Sequence, residues 1–326
     1  MMSTATIRRG ALLLAALLGL AACDGGDPVR EFRPTRFVAF GDESTLIEGG
    51  ALAGRKYTVN YVDVAGAGAL DCTRYPIWSQ QLATNFGFVF AECNPNGLPV
   101  TAQMRAERGA RVQDLRDQLA DYILNSAPND LDLVTVMVGM NDVLELYAQY
   151  PARTEADITA ELRVRGENLA RAINEVVRYG PRVVALTVPD IGVSPYALAE
   201  AVRTGDPGRP ELLTRLVGAF NSGMRLEILN DGRKIGLVFA QEEVANMVST
   251  PSGYGLTNVL RPACADVAEP PDTSSLPLLS CTNAAGSLVE GASATTWLWA
   301  DALRLGPTGQ ARLGSIAITR ARNNPF

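Results

Sequence analysis

Phe37-Val38-Ala39-Phe40-Gly41-Asp42-Glu43-Ser44-Thr45 is the stretch that decides the fold of this chain. An apolar, β-prone run from Phe37 to Phe40 feeds a Gly-Asp turn, with small polar residues just beyond it. A buried parallel strand ends this way when it delivers a side chain to the top of an α/β sheet. Ligands of such sheets bind outside the carboxyl ends of the strands. The residue that this turn presents, Glu43, is therefore the first candidate for a functional side chain.

Outward from that turn, segments of strand length alternate with segments of helical period. Residues 46–75 read as an irregular excursion with an extended piece at Lys56 to Val62, and Pro76-Ile77-Trp78 opens a helix. Phe86 to Phe90 reads as a short second strand. Val112, Leu115, Leu119, Tyr122 and Ile123 fall at helical spacing within Arg111 to Leu124. Leu131 to Val138 reads as a buried strand that ends at Gly139-Met140-Asn141-Asp142. A long helix over Thr154 to Arg178 stops at Gly180-Pro181. Strands at Val183 to Val188 and Ile235 to Phe239, helices at Glu211 to Leu229 and Pro307 to Arg320, and a Pro-, Ser- and Gly-rich loop excursion over 249–296 complete the order. Strands alternating with helices imply a parallel, doubly wound sheet.

The N-terminus reads differently. Arg8 and Arg9 precede an apolar run, Ala11 to Leu20, too short to span a bilayer comfortably, and Leu20-Ala21-Ala22-Cys23 follows. This is the pattern of a secretory signal over residues 1–22. Its end resembles a bacterial lipobox, which implies lipidation of Cys23, a tether over 23–35 and a domain over 36–326. Without Arg8 and Arg9 the net charge falls from −6 to −8. An acidic balance with no basic run argues against nucleic acid as a partner. Cys72, Cys93, Cys264 and Cys281 form an even set suited to an oxidising compartment. Among the three connectivities, proximity in sequence favours Cys72–Cys93 and Cys264–Cys281. No metal or cofactor is expected, because the chain has no His and no C-x-x-C pair.

The segment around Glu43 resembles block I of the SGNH (GDSL) hydrolases, Phe-Gly-Asp-Ser-x-Ser/Thr, whose Ser is the nucleophile. Gly109-Ala110-Arg111-Val112 resembles block II, and Gly139-Met140-Asn141-Asp142 resembles block III. The resemblance implies that Gly109, through its backbone N–H, and Asn141, through its side chain, are oxyanion donors. Pro189-Asp190-Ile191-Gly192-x-x-Pro195 and Pro251-x-x-Tyr254-Gly255-Leu256-Thr257-Asn258 are similar to segments of the GDSL lipase branch. Trp299-Ala300-Asp301-Ala302-Leu303-Arg304 resembles block V, Asp-x-x-His. The resemblance covers residues 36–320, with the blocks in order. It implies an α/β fold, an SGNH-hydrolase (flavodoxin-like) three-layer sandwich with a parallel sheet.

The resemblance also exposes two departures. The nucleophile position is Glu43 and the base position is Arg304, and the chain has no His to stand in. Aligning Ser44 as the nucleophile would need an inserted residue, because Thr45 already falls where the family has its second Ser/Thr. A guanidinium cannot be deprotonated in a protein, so Arg304 cannot serve as the base. The resemblance implies that positions 43 and 304 face each other, and the complementary charges of Glu43 and Arg304 then predict a salt bridge between them, with Asp301 as a second acidic neighbour of Arg304. The paired carboxylates Glu43 and Asp301 are a weaker candidate for a hydrolytic site, since a cation stands between them. Two function classes follow. One is an exported lipoprotein, a monomer on the periplasmic face of the envelope, that binds an envelope ligand or small molecule without catalysis. The other is an active esterase that uses Ser44 or a rearranged site.

Overall fold

The computed structural model describes residues 32–65, 68–265 and 276–323. The expected signal segment, residues 1–22, and Cys23 lie outside the described residues. Strand β1 is Arg36–Gly41, and only Arg36 of it is not wholly buried. Helix α1 (Trp78–Asn85), strand β2 (Ala102–Met104), helix α2 (Val112–Ser126), strand β3 (Asp132–Met137) and helices α3 (Met140–Tyr147) and α4 (Glu155–Arg178) follow. Then come β4 (Arg182–Leu186), α5 (Pro195–Thr204), α6 (Arg209–Glu227), β5 (Ile235–Val238), α7 (Ala240–Ser249), β6 (Asn258–Pro262), β7 (Trp297–Trp299) and α8 (Pro307–Asn323).

The main sheet is parallel throughout, in the order β2-β1-β3-β4-β5. Phe37 lies opposite Leu133 and Gly41 opposite Met137, so β1 and β3 end side by side. Alternate residues of β1 feed opposite layers, as the pleat demands. Val38 and Phe40 pack with Leu115, Leu162 and Phe220 of α2, α4 and α6. Phe37 and Ala39 pack with Trp78, Val244 and Leu313 of α1, α7 and α8. Burial on both faces is why Phe37 to Phe40 reads as an unbroken apolar run. The result is the expected three-layer sandwich.

Two segments differ from the sequence reading. Phe86 to Phe90 is not a strand. The Phe88 N–H turns back to the Ala83 carbonyl (2.9 Å), and only Phe90 makes a bridge, to Ala102. Both Phe88 and Phe90 place their rings 5.7 Å from that of Phe37, so their alternation marks packing under β1 rather than pairing with it. The strand that pairs there is Ala102–Met104. Residues 249–296, read as a loop, contain β6, which pairs in parallel with β7 just beyond them in a separate two-stranded sheet. That pairing is far from local, so no sequence period announces it.

The cystines join Cys72 to Cys93 and Cys264 to Cys281, with Cα–Cα separations of 5.7 and 5.8 Å. The excursion after β1 is further pinned by Lys56, a wholly buried side chain. Its Nζ donates to the carbonyls of Cys72 (2.8 Å), Arg74 (2.8 Å) and Tyr75 (3.0 Å). Thr58 then donates to the carbonyl of Leu305 at 2.9 Å, which lays the excursion against the loop after β7. Among the described residues, no helix is long and apolar enough to cross a membrane.

Candidate active site

The turn that ends β1 needs Gly41. Its φ is +140°, and a Cβ there would lie 2.1 Å from the carbonyl oxygen of Met137 on β3. Only glycine tolerates both the conformation and the close approach. The Asp42 N–H donates to that carbonyl (3.1 Å), and the Thr45 N–H closes the turn on the Asp42 carbonyl (3.0 Å). Glu43 is thereby directed into the protein rather than to solvent, and it is completely buried.

Each oxygen of the Glu43 carboxylate has its own partners. Oε1 accepts from Arg304 Nη2. Oε2 accepts from the Gly109 N–H at 2.9 Å and from Asn141 Nδ2 at 3.1 Å. The two groups that the resemblance assigns to the oxyanion therefore both donate to one oxygen of Glu43. Gly109 is carried there by residues 105–107, which continue the ladder past β2. The Arg105 N–H donates to Ala39 O (2.8 Å) and the Glu107 N–H to Gly41 O (3.0 Å). Asn141 arrives on the first turn of α3, entered through Gly139 at φ +126°, where a Cβ would collide with the Phe220 ring at 2.4 Å.

Arg304 is 2 % exposed and sits in a tight loop after β7, closed by the Ala300 N–H on the Arg304 carbonyl (2.8 Å). Asp301 holds this loop together. Its Oδ1 accepts the backbone N–H groups of Leu303 (2.8 Å) and Arg304 (2.6 Å), and its Oδ2 accepts Arg304 Nη1 at 3.2 Å. The guanidinium thus bridges Asp301 and Glu43, and the two carboxylates do not form the open acid pair that hydrolysis would need.

The electrostatics follow from burial. Desolvation favours a neutral Glu43, but the Arg304 charge, its hydrogen bond and the Gly109 N–H outweigh it and hold the pKa below the ordinary value. Asp42, next in sequence, is also wholly buried. Desolvation first, then the Glu43 charge, push its carboxyl up to about 8, although the Ser44 N–H donates to Oδ1 at 2.9 Å. Burial acts on Arg304 in the opposite sense, yet Asp301 and Glu43 raise its pKa overall. Burial and the Glu43 charge thus favour the protonated form of Asp42, whereas Arg304 favours the ionised form of Glu43.

Outside this cluster, Asp142 ties the two donor loops to each other. Its Oδ2 accepts the Val112 N–H at the start of α2 (3.0 Å) and its Oδ1 accepts Arg165 Nη1 (3.1 Å). Asn141 donates also to the Ala110 carbonyl at 3.1 Å. Burial pushes the Asp142 carboxyl up to about 6 against these contacts. A cavity of about 500 Å³ opens beside the cluster, lined by Arg108, Gly109, Arg111, Asn141, Leu144 and Tyr196 among others.

All five residues expected at the site are brought together: Glu43, Gly109, Asn141, Asp301 and Arg304. Ser44 lies in the same turn with its N–H engaged by Asp42. The side chains of Trp78 and Trp299 are core, and the Trp299 indole donates to the Val259 carbonyl at 3.0 Å. Two contributors escaped the sequence reading. Asp42 was legible as an acid beside an acid in a buried turn, whereas nothing local marks Arg165. Among the described residues, no group of His, Cys, Asp and Glu is disposed to hold a metal ion.

The model of the GDSL-like lipase/acylhydrolase family matches residues 37–297. No curated protein sequence matches the chain significantly. Solved structures similar to it include a lipase/acylhydrolase from Enterococcus faecalis, at 15 % identity over 87 % of this chain and 93 % of that one, with a TM-score of 0.39. A catalytic mutant of an acetylxylan esterase from Geobacillus stearothermophilus aligns at 11 % identity over 88 % and 94 %, with a TM-score of 0.43. A lipolytic G-D-S-L family protein from Veillonella parvula aligns at 11 % identity over 75 % and 93 %, with a TM-score of 0.36.

Proposed function

This chain belongs to the GDSL-like lipase/acylhydrolase family, and we propose that it is a non-catalytic member, an exported lipoprotein that binds an envelope ligand where its relatives cleave esters. The observation that carries this reading is the Glu43 carboxylate, with Oε2 on the Gly109 N–H and Asn141 Nδ2 and Oε1 on Arg304. Acyl transfer needs a hydroxyl activated by a neighbouring base and a vacant set of donors for the developing oxyanion. Here the donors are engaged by a resident anion, and the base position is a guanidinium that keeps its protons. Loss of a nucleophile–base pair costs up to about 10⁶ in kcat. The cavity beside Gly109 and Asn141, about 500 Å³, is large enough for a small molecule or for one end of a larger envelope component. The lipobox at Cys23 supports anchoring to a membrane on the periplasmic side, and the chain is read as a monomer.

A panel of short- and medium-chain carboxylic esters tests this reading on the purified full chain. Turnover should not exceed that of an Asn141→Ala control. Robust turnover lost in Ser44→Ala would replace the reading with that of an esterase built on Ser44. Anchoring is tested by Cys23→Ser, which should move the protein from the membrane to the soluble fraction.

A further inference from the structure

We infer that Gly109, Asn141 and Arg304 form a carboxylate-binding cage in which Glu43 is a resident ligand supplied by the chain itself, so that shortening Glu43 turns the cage into a site for a small free carboxylate such as acetate or formate. Among the described residues, every group that meets the Glu43 head is a donor: one backbone N–H, one amide NH₂ and one guanidinium. One oxygen takes two of them and the other takes the guanidinium, an arrangement that a planar two-oxygen anion satisfies and a neutral amide does not. The NH₂ of an amide would confront a donor whichever way it lay. The donors come from three separate parts of the chain, 66, 98 and 261 residues from Glu43, and so are placed by the fold rather than by Glu43. Gly109 and Asn141 also line the adjoining cavity, which provides a route for a small ion.

Shortening Glu43 to Ala or Ser removes about the volume of acetate and leaves three converging donors around the vacated space, where a carboxylate competes with water entering from the cavity. A carboxylate meets all three donors with two oxygens held in one plane, an arrangement that separate water molecules match less well. Arg304 remains paired with Asp301, so the vacated cage carries no net excess charge. With so few ligand atoms, the affinity should be on the order of millimolar. The inference rests on the geometry that also carries the non-catalytic reading, but no ester chemistry enters it.

The test is thermal unfolding of full-length Glu43→Ala and Glu43→Ser in sodium acetate or formate against sodium chloride at equal ionic strength. Acetamide and sulfate serve as further arms. A saturable rise in Tm of about 2–4 °C is expected in acetate and formate, with none in acetamide or sulfate, none in the wild type and none once Arg304→Gln is added. An equal rise in the wild type, or no carboxylate-specific rise in a folded variant, would overturn the inference. If neither variant folds unaided, refolding yield replaces Tm: recovery in acetate but not acetamide upholds the cage, and recovery indifferent to carboxylate overturns it. An active wild-type esterase would defeat the proposed function yet leave these outcomes unchanged.

Discussion

Two clusters of carboxylates and guanidiniums lie on either side of the Gly109–Asn141 donors, and they have opposite characters. In the inner one, Arg304 and Glu43 have side-chain exposures of 1 % and 0 %. In the outer one, on the cavity rim, Arg111 pairs with Glu145, and Arg165 reaches Glu145 and Glu161. Arg111 and Glu145 are 45 % and 36 % exposed, so water can replace any contact they lose. The inner cluster has no such substitute. Each oxygen of Glu43 is therefore matched to protein donors, and burial raises the Asp42 carboxyl pKa. Identical chemistry is thus structural in one place and close to neutral in the other.

The contrast is broken most directly by Arg304→Ala. Leaving Glu43 buried without its cation should cost about 3–5 kcal/mol, read as a lower denaturant midpoint. The double change Glu43→Ser/Arg304→His should cost less, because it installs a neutral hydrogen-bonding pair. A single variant no worse than the double one would mean that the buried pair carries no such burden.

Asp42 sharpens the same contrast through pH. Its carboxyl is raised from the ordinary 3.8 to about 8 in the fold, so the native state holds a proton that the unfolded chain releases. That contribution is complete below about pH 4 and is lost as pH rises through about 8. Asp42→Asn keeps an acceptor for the Ser44 N–H while removing the titration. The wild type should therefore lose stability relative to this variant between pH 4 and 8, by an amount of order a few kcal/mol. Parallel pH profiles for the two proteins would refute the assignment.

Arg165→Ala comes next in size. Asp142 is nearly buried and would lose its guanidinium yet keep the Val112 N–H, so a cost of about 1–2 kcal/mol is expected. Arg111→Ala should be smallest, at about 0–1 kcal/mol, and should shrink further as salt is added. A salt-insensitive loss as large as that of Arg304→Ala would erase the distinction between rim and interior.

Much of this was legible in the chain. Phe37 to Phe40 and Leu131 to Val138 read as buried strands because burial on both faces makes them mostly apolar, with Asp132 and Thr135 the polar exceptions in the second. Thr154 to Arg178 read as a helix closed by the Gly180-Pro181 stop, and the structure adds the Thr154 cap on the Asp157 N–H. The second strand was misplaced. Phe86 to Phe90 carries the stronger alternation, but a three-residue strand such as Ala102–Met104 is specified by its neighbour β1 rather than by its own pattern. The small sheet of β6 and β7 was missed for a related reason, since its two strands are joined only through a long excursion.

By itself, the sequence determined the alternation of strands and helices, the absence of imidazole and the opposite charges at positions 43 and 304. These are properties of composition and of local period, and they survive without coordinates. Only the tertiary structure decided where the Glu43 carboxylate points and what it displaces. A pairing with Arg304 alone would have left Gly109 and Asn141 open. Instead the Gly41 turn aims the side chain so that its second oxygen lands on both. Hydrogen bonds between groups 66 and 98 residues apart depend on how strand ends and helix starts converge above the sheet. That convergence is set by packing across the whole domain, and no short stretch of sequence encodes it.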